Sequence, residues 1–250
     1  MTTDTSPMTA PDTAPATPAR MSFGAKFIGI FTNPRRVFES LSGGHEWIIL
    51  WLIVSAVAIA GYLPIKDVIK TTQIQKVQEQ LDSNPQVSAE QKQQILDRME
   101  SQFSNPLWTL LTPVFMLIAM AVVAAVLLFI ANIILGGNTR YLTVLNAYAW
   151  TMMIVVPATI VTVPLVMAKG SMDVTLGLGV LTSADTGAFL KKFLTLFEVF
   201  GLWQVWLSSV AVAVLGKSSA GKAFAAVFVA WLVWVLIQGG LATMGVNFGA

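Results

Sequence analysis

Five long apolar stretches alternate with polar or glycine-rich segments along the chain. An α-helix rises about 1.5 Å per residue, so about 20 residues cross the hydrocarbon core of a bilayer, which is about 30 Å thick. The apolar residues do not alternate with polar ones as they would in barrel strands, which favours helices. The sequence therefore predicts an all-α, polytopic membrane bundle with five transmembrane helices. The predicted spans are Trp47–Ile65, Leu107–Leu135, Tyr141–Ala168, Phe193–Gly216 and Ala223–Val246.

The chain before the first span divides into two parts of different composition. Residues 1–21 are rich in Thr, Pro and Ala, a composition typical of a disordered tail. Residues 22–45 form a juxtamembrane amphipathic segment, in which Asn33-Pro34 is a cap followed by a first-turn proline. This segment is either a pair of helices on the membrane surface or an ordinary linker. Its apolar positions at helical spacing are Phe23, Phe27, Ile30 and Phe31, followed by Val37, Phe38 and Leu41.

Within the membrane domain, residues 46–250, one sizeable polar insertion follows the first span. Residues 66–104 are rich in Gln, Lys, Asp and Glu, and they carry apolar residues at helical spacing on both sides of Ser83-Asn84-Pro85. Ser88 and Gln91 have the spacing of a capping box at a helix start. The pattern predicts a helical hairpin that continues the first span. It is either an arm that binds a protein partner or a spacer packed on the bundle.

Composition narrows the class of protein. Hydrophobic residues make up 55% of the chain and charged residues 11%, against about 25% charged residues in soluble domains. A formal charge of +2 is too small to indicate nucleic-acid binding. The chain has no cysteine and a single histidine, His45, which excludes thiolate chemistry and a histidine-rich metal site. No catalytic set and no cofactor or metal site is predicted.

Glu198 is the most informative single residue. It lies about five residues inside the predicted fourth span, where a carboxylate is costly and usually faces protein or water. Together with Gln204, Gln238 and Thr162 it forms a candidate intramembrane polar site. We expect a contact from Glu198 to Gln238 or Thr162, which is either a hydrogen bond that packs helices or a proton or substrate site.

Helical spacing also predicts the two faces of the fourth span. Polar and small residues are expected to face the bundle: Glu198, Gly201, Gln204, Ser208 and Ser209. Larger residues are expected to face lipid: Val199, Trp203, Trp206 and Val210.

Three groups of residues resemble motifs of the Yip family, membrane proteins named for their interaction with Ypt/Rab GTPases, and most of all its bacterial branch. The first is Asn33-Pro34-Arg35-Arg36-Val37-Phe38 before the first span. The second is Asn146-Ala147-Tyr148-Ala149 followed by Pro157. The third is Phe197-Glu198-Val199-Phe200-Gly201-Leu202-Trp203, then Gly221-Lys222-Ala223 and Trp231-Leu232.

The resemblance implies five spans with a cytoplasmic N-terminus and a luminal or periplasmic C-terminus, in a bacterial inner membrane. Charge alone does not fix the orientation, since five Lys and Arg residues near the spans lie on each side. Bacterial members often carry an acidic or polar residue at the position of Glu198. Eukaryotic members act in Golgi and endoplasmic-reticulum trafficking and bind prenylated GTPases.

Two functions follow as expectations. The first is a non-enzymatic scaffold or membrane-organising protein, which contacts membrane lipids and binds protein partners through the 66–104 hairpin or the N-terminal arm. The alternative is a small oligomeric transporter or channel with a polar path around Glu198. A homo-oligomer is left open in both cases.

Overall fold

The computed structural model describes residues 21–41, 43–84, 86–172, 174, 176–183 and 186–243. The predicted disordered tail at 1–21 lies, apart from Met21, outside these residues. Most of the described residues are helical and none lies in a β-strand, which confirms the all-α class. The α-helices are α1 (Phe23–Thr32), α2 (Pro34–Glu39), α3 (Glu46–Asp82), α4 (Ala89–Ser104), α5 (Pro106–Phe129), α6 (Tyr141–Thr151), α7 (Val155–Lys169), α8 (Ala188–Thr195), α9 (Val199–Leu215) and α10 (Ala220–Thr243).

Four helical segments of the described chain are long and apolar enough to cross a membrane. They correspond to the predicted spans one, two, three and five. The second segment consists of α5 and a terminal π-helical turn, and the third joins α6 to α7. The predicted fourth span corresponds instead to α9, an apolar helix of only 17 residues. The chain is therefore an integral membrane protein with four candidate spans among its described residues, and α1 and α9 are shorter apolar helices.

The third span changes its helical geometry beside a proline. Pro157 has no backbone N–H, so the helical hydrogen bond that residue 157 would donate to Met153 is missing. The chain tightens there into a 3₁₀ turn, Met152–Ile154, between α6 and α7. Asn146, Trp150 and Met153 of this span are all buried.

The predicted fourth span is interrupted just before α9. Phe197 and Glu198 run extended and pair with the loop after α7: the amide of Leu178 donates to the carbonyl of Phe197, and the amide of Val199 to that of Leu176, both at 3.1 Å. A side chain at Gly177 would overlap the backbone of Phe197 and Glu198, so this close approach requires glycine. Helix α8 therefore ends at Thr195 and α9 begins at Val199.

This interruption corrects the predicted position of Glu198. The residue precedes the first residue of α9 instead of lying about five residues inside a continuous span. The reason is that the carbonyl of Phe197 and the amide of Val199 bond to a loop some 20 residues earlier. The length of an apolar run in the sequence does not reveal such a contact.

Helix α3 continues from the membrane into the polar insertion without a break and is 37 residues long. The capping box at the start of α4 is present, with the amide of Gln91 donating to Ser88 Oγ at 3.2 Å and the amide of Ser88 to Gln91 Oε1 at 3.0 Å. Two ion pairs join the hairpin helices: Lys70 to Glu100 at 2.6 Å and Lys92 to Asp82 at 3.0 Å. We call residues 66–104 the hairpin arm.

Candidate functional site

The juxtamembrane helices α1 and α2 pack into the bundle. Ile30, Val37 and Phe38 are completely or almost completely buried and belong to the same apolar core as residues of α3, α5, α6 and α9. Asn33 links the two helices, since its side-chain oxygen accepts a hydrogen bond from the amide of Arg36 at the start of α2. The segment therefore behaves as a structural part of the membrane domain and not as a free linker.

A charged network fixes α1 to the bundle. The Lys26 ammonium lies 2.5 Å from Glu46 Oε1, and the indole Nε1 of Trp150 donates to Glu46 Oε2 at 2.9 Å. The Lys26 side chain is only 8% exposed, and the Glu46 side chain 31%. Three elements, α1, the first turn of α3 and α6, thus converge on one carboxylate that balances a buried cation.

Sequence reasoning missed this network, although one signal was present. Lys26 occupies a position within the apolar stripe of α1, three residues after Phe23 and four before Ile30. A lysine on an apolar face needs either water or a partner. Its partner could not be read from the sequence because Glu46 lies 20 residues further along the chain, and Trp150, which completes the network, a further 104.

Aromatic contacts reinforce the docking of α1. Phe23 packs on Trp150 with ring centroids 5.1 Å apart, and Phe31 meets Trp203 edge to face at 6.0 Å. This corrects the prediction for Trp203, which was assigned to the lipid-facing side of the fourth span. Its ring is instead partly covered by Phe31 of α1, a helix outside the span whose position the periodicity of α9 cannot predict.

The predicted site residue Glu198 does not make the expected contact. No hydrogen bond joins it to Gln238 or Thr162, and all three residues lie in the described part of the chain. Its side chain is exposed at the start of α9. The protein nevertheless shields part of the carboxyl group from water, and this desolvation raises the pKa of Glu198 above its ordinary value because it penalises the charged form.

The other predicted site residues are spread over the bundle. Gln204 donates from Nε2 to the hydroxyl of Tyr148 in α6, at 3.3 Å. Thr162 lies on α7, which packs chiefly on α3, whereas Gln238 lies on α10, which packs on α8 and α9. The inward-facing prediction holds for Ser208 and Ser209, which are both buried. The four candidate residues therefore do not converge on one polar site.

Metal chemistry has no obvious location in the described residues. They contain no group of three or more His, Asp or Glu side chains placed to hold a metal ion. The Lys26–Glu46–Trp150 network has a structural role: it neutralises a buried charge and sets the position of α1 relative to α3 and α6.

Comparison with known proteins adds one match. The family model of the Yip1 domain matches residues 28–246. No curated protein and no solved structure matches the chain significantly.

Proposed function

The chain belongs to the Yip1 domain family, and on that premise we propose that it is a non-enzymatic scaffold or membrane-organising protein that acts through protein partners. The family is in general one of non-enzymatic membrane proteins. We further propose that this member belongs to the bacterial branch and lies in the inner membrane with its N-terminus in the cytoplasm. The hairpin arm, which follows the first span, then projects into the periplasm.

The observation that carries this proposal is the incomplete cover of the hairpin arm. Helix α4 is 16 residues long, all of them described, and none is buried. Helix α4 packs chiefly on α3, and of its apolar stripe of Ile95, Met99 and Phe103 the last two are half-buried while Ile95 remains 39% exposed. A pair of helices usually buries its apolar stripe. An apolar stripe left open on a projecting arm supports a partner that completes the cover.

The architecture of the arm supports the same role. Because α3 is continuous over 37 residues, it measures about 55 Å, of which about 30 Å crosses the hydrocarbon core. The remaining part, about 25 Å and nearly half of the helix, extends beyond the membrane as a rigid support for α4. The two inter-helix ion pairs hold the helices together. A stiff arm presents its stripe in a fixed geometry, so little conformational entropy is lost on binding.

The transport alternative finds less support. A polar path needs its residues to converge, whereas Glu198, Thr162 and Gln238 make no hydrogen bonds with one another within the described chain, and Gln204 is engaged by Tyr148.

A site-specific cross-linking experiment in cells tests the proposal. A photoreactive amino acid replaces Ile95 on the stripe or, as the matched control, Gln93 on the opposite, exposed face of α4. We expect a discrete protein adduct from position 95 and little or none from position 93. A second copy of the chain and a different protein are distinguished by the mass of the adduct.

The opposite outcome also has a defined form. Equal or absent adducts at positions 95 and 93, together with proton flux through proteoliposomes that Glu198→Gln abolishes, would replace the scaffold by the transporter.

A further inference from the structure

The connection between α7 and α9 exposes large apolar side chains, although it lies outside the membrane-crossing helices. Val180 and Leu181, in a short turn, are each 71% exposed, and Leu178 in the same turn is also exposed. Two residues of α8, Phe189 and Leu190, are exposed as well. We call the turn Leu178–Leu181 together with α8 the collar. Such a concentration of exposed apolar side chains indicates an apolar neighbour.

The collar is attached to the surface of a membrane-spanning helix. Phe189, Phe193 and Phe197 form a ladder of rings with centroids 6.0 and 5.0 Å apart, and Phe197 meets Trp231 of α10 at 4.9 Å. At Gly239 of α10 an added Cβ would lie 3.0 Å from the Phe189 ring, so α8 rests closely on that helix. The exposed apolar surface of the collar is therefore continuous with the lipid-facing surface of α10, where Val233 and Ile237 are exposed.

The charge pattern of α8 matches the boundary of a bilayer. Lys191 is exposed beside the apolar Leu190, and a lysine at this position can extend its ammonium to lipid headgroups while its stem stays among acyl chains. Amphipathic helices with this combination lie in the membrane interface with their apolar face among the acyl chains.

The length of α9 indicates the thickness of the bilayer at this end of the bundle. Its 17 residues span about 25 Å, about 5 Å less than a hydrocarbon core of about 30 Å. A charged group at the start of such a helix reaches water if the bilayer is thinner there. The Glu198 carboxylate stands at this start and is exposed.

We infer that the collar is embedded in the leaflet at this end of the bundle, with Val180, Leu181 and Leu190 among lipid acyl chains. The leaflet is thinner around the start of α9, so that Glu198 reaches water although α9 is short. This surface lies beyond the partner-binding role of the hairpin arm and does not depend on it.

The test uses the absence of cysteine from the chain. Val180→Cys and Leu181→Cys are made singly in the full-length protein, labelled with a nitroxide and placed in phosphatidylcholine–phosphatidylglycerol nanodiscs. Collision rates are measured with oxygen, which concentrates in hydrocarbon, and with a water-soluble nickel complex. The lipid-facing control is Val122→Cys in α5, and the water-facing control is Ser83→Cys at the tip of the hairpin arm; both positions are exposed. All four positions tolerate a cysteine because none is in the core.

We expect the ratio of oxygen to nickel collisions at positions 180 and 181 to equal that at 122 and to exceed that at 83 by at least about tenfold, since polar solutes are excluded from hydrocarbon. A ratio equal to that at 83 would overturn the inference, because the collar would then face water. Low collision rates with both probes would also overturn it, because a second copy or another protein would then cover the collar. In the same nanodiscs, Glu198→Cys should react with a water-soluble maleimide. Failure to react would contradict the local thinning of the leaflet.

Discussion

Removal of the Lys26 ammonium should release α1 and α2 from the bundle more often. In Lys26→Met the side-chain stem keeps its length and packing, but Glu46 loses the cation 2.5 Å from its carboxylate. The carboxylate retains the indole N–H of Trp150 as a hydrogen-bond donor. What is lost is therefore mainly the balance of one negative charge next to the core.

The size of the effect follows from the exposure of the two partners. Removing one partner of a fully buried pair costs about 3–5 kcal/mol, whereas exposed pairs contribute about 0–1 kcal/mol. Here one side chain is buried and the other is 31% exposed, so we expect about 2 kcal/mol. Since about 1.4 kcal/mol is a factor of ten, the opening equilibrium of α1 and α2 should increase about thirtyfold.

Hydrogen exchange of the backbone amides of residues 23–39, measured by mass spectrometry in nanodiscs, reports this opening. Arg35→Met is the matched control, because Arg35 pairs with Glu39 at 2.8 Å but the two side chains are 72% and 50% exposed. A pair of that kind should change exchange only about twofold. Glu46→Gln in the Lys26→Met background should restore part of the protection, since it removes the unbalanced charge and keeps an acceptor for Trp150.

The reasoning would be refuted if Lys26→Met changed exchange no more than Arg35→Met, because the network would then contribute nothing to docking.

Three further predictions concern packing, capping and pH. Gly61→Val should destabilise the bundle by about 1–3 kcal/mol through overpacking, since even a Cβ would lie 2.6 Å from a methyl of Thr159. Adding Thr159→Ala should restore the Tm, whereas Gly24→Val, at a position with open space around it, should leave the Tm unchanged. Ser88→Ala removes half of the capping box and should cost α4 about 1 kcal/mol, seen as about fivefold faster exchange in its first turn with an unchanged membrane domain. The raised pKa of Glu198 means that the folded protein binds this proton more tightly than the unfolded chain. The charged carboxylate therefore destabilises the fold at neutral pH, and this effect is relieved as the pH falls through the raised pKa. The Tm should rise on mild acidification relative to the Tm of Glu198→Gln, and a constant difference between the two proteins would contradict this prediction.

Local features of the fold could be predicted from the sequence. The long apolar runs gave α3, α5 and α10, because membrane helices satisfy their own backbone and need only sufficient apolar length. Ser88 and Gln91 predicted the start of α4, because a capping box is a contact over three residues. The 3₁₀ turn before Pro157 follows from the backbone donor that this proline lacks.

Features that depend on distant contacts could not be predicted. The interruption before α9 depends on the pairing of the backbone at Gly177 with Glu198. No sequence pattern within the predicted fourth span indicates that pairing. The docking of Trp203 on Phe31 depends on the position of α1. A lipid-facing stripe and a stripe covered by another apolar helix look alike in sequence, since both are apolar.

The candidate site shows the same division. Glu198 was singled out because a carboxylate in an apolar run is conspicuous, but its depth was wrong because the helix begins after it. Lys26 was visible as an exception within an apolar stripe. Its pairing with Glu46, which also accepts a hydrogen bond from Trp150, required three separate elements to be placed in space.

The most direct measurement of the proposed role of the hairpin arm compares one thiol in two environments. Ile95→Cys is labelled with a membrane-impermeant maleimide in native membranes and in nanodiscs that contain only the purified protein, with Ser83→Cys at the tip of the arm as the reference for reagent access. We expect labelling at position 95, relative to position 83, to be at least about tenfold slower in native membranes, because a partner buries the apolar stripe there. Equal relative rates in the two environments would show that nothing covers the stripe, and would contradict a scaffold that acts through this arm.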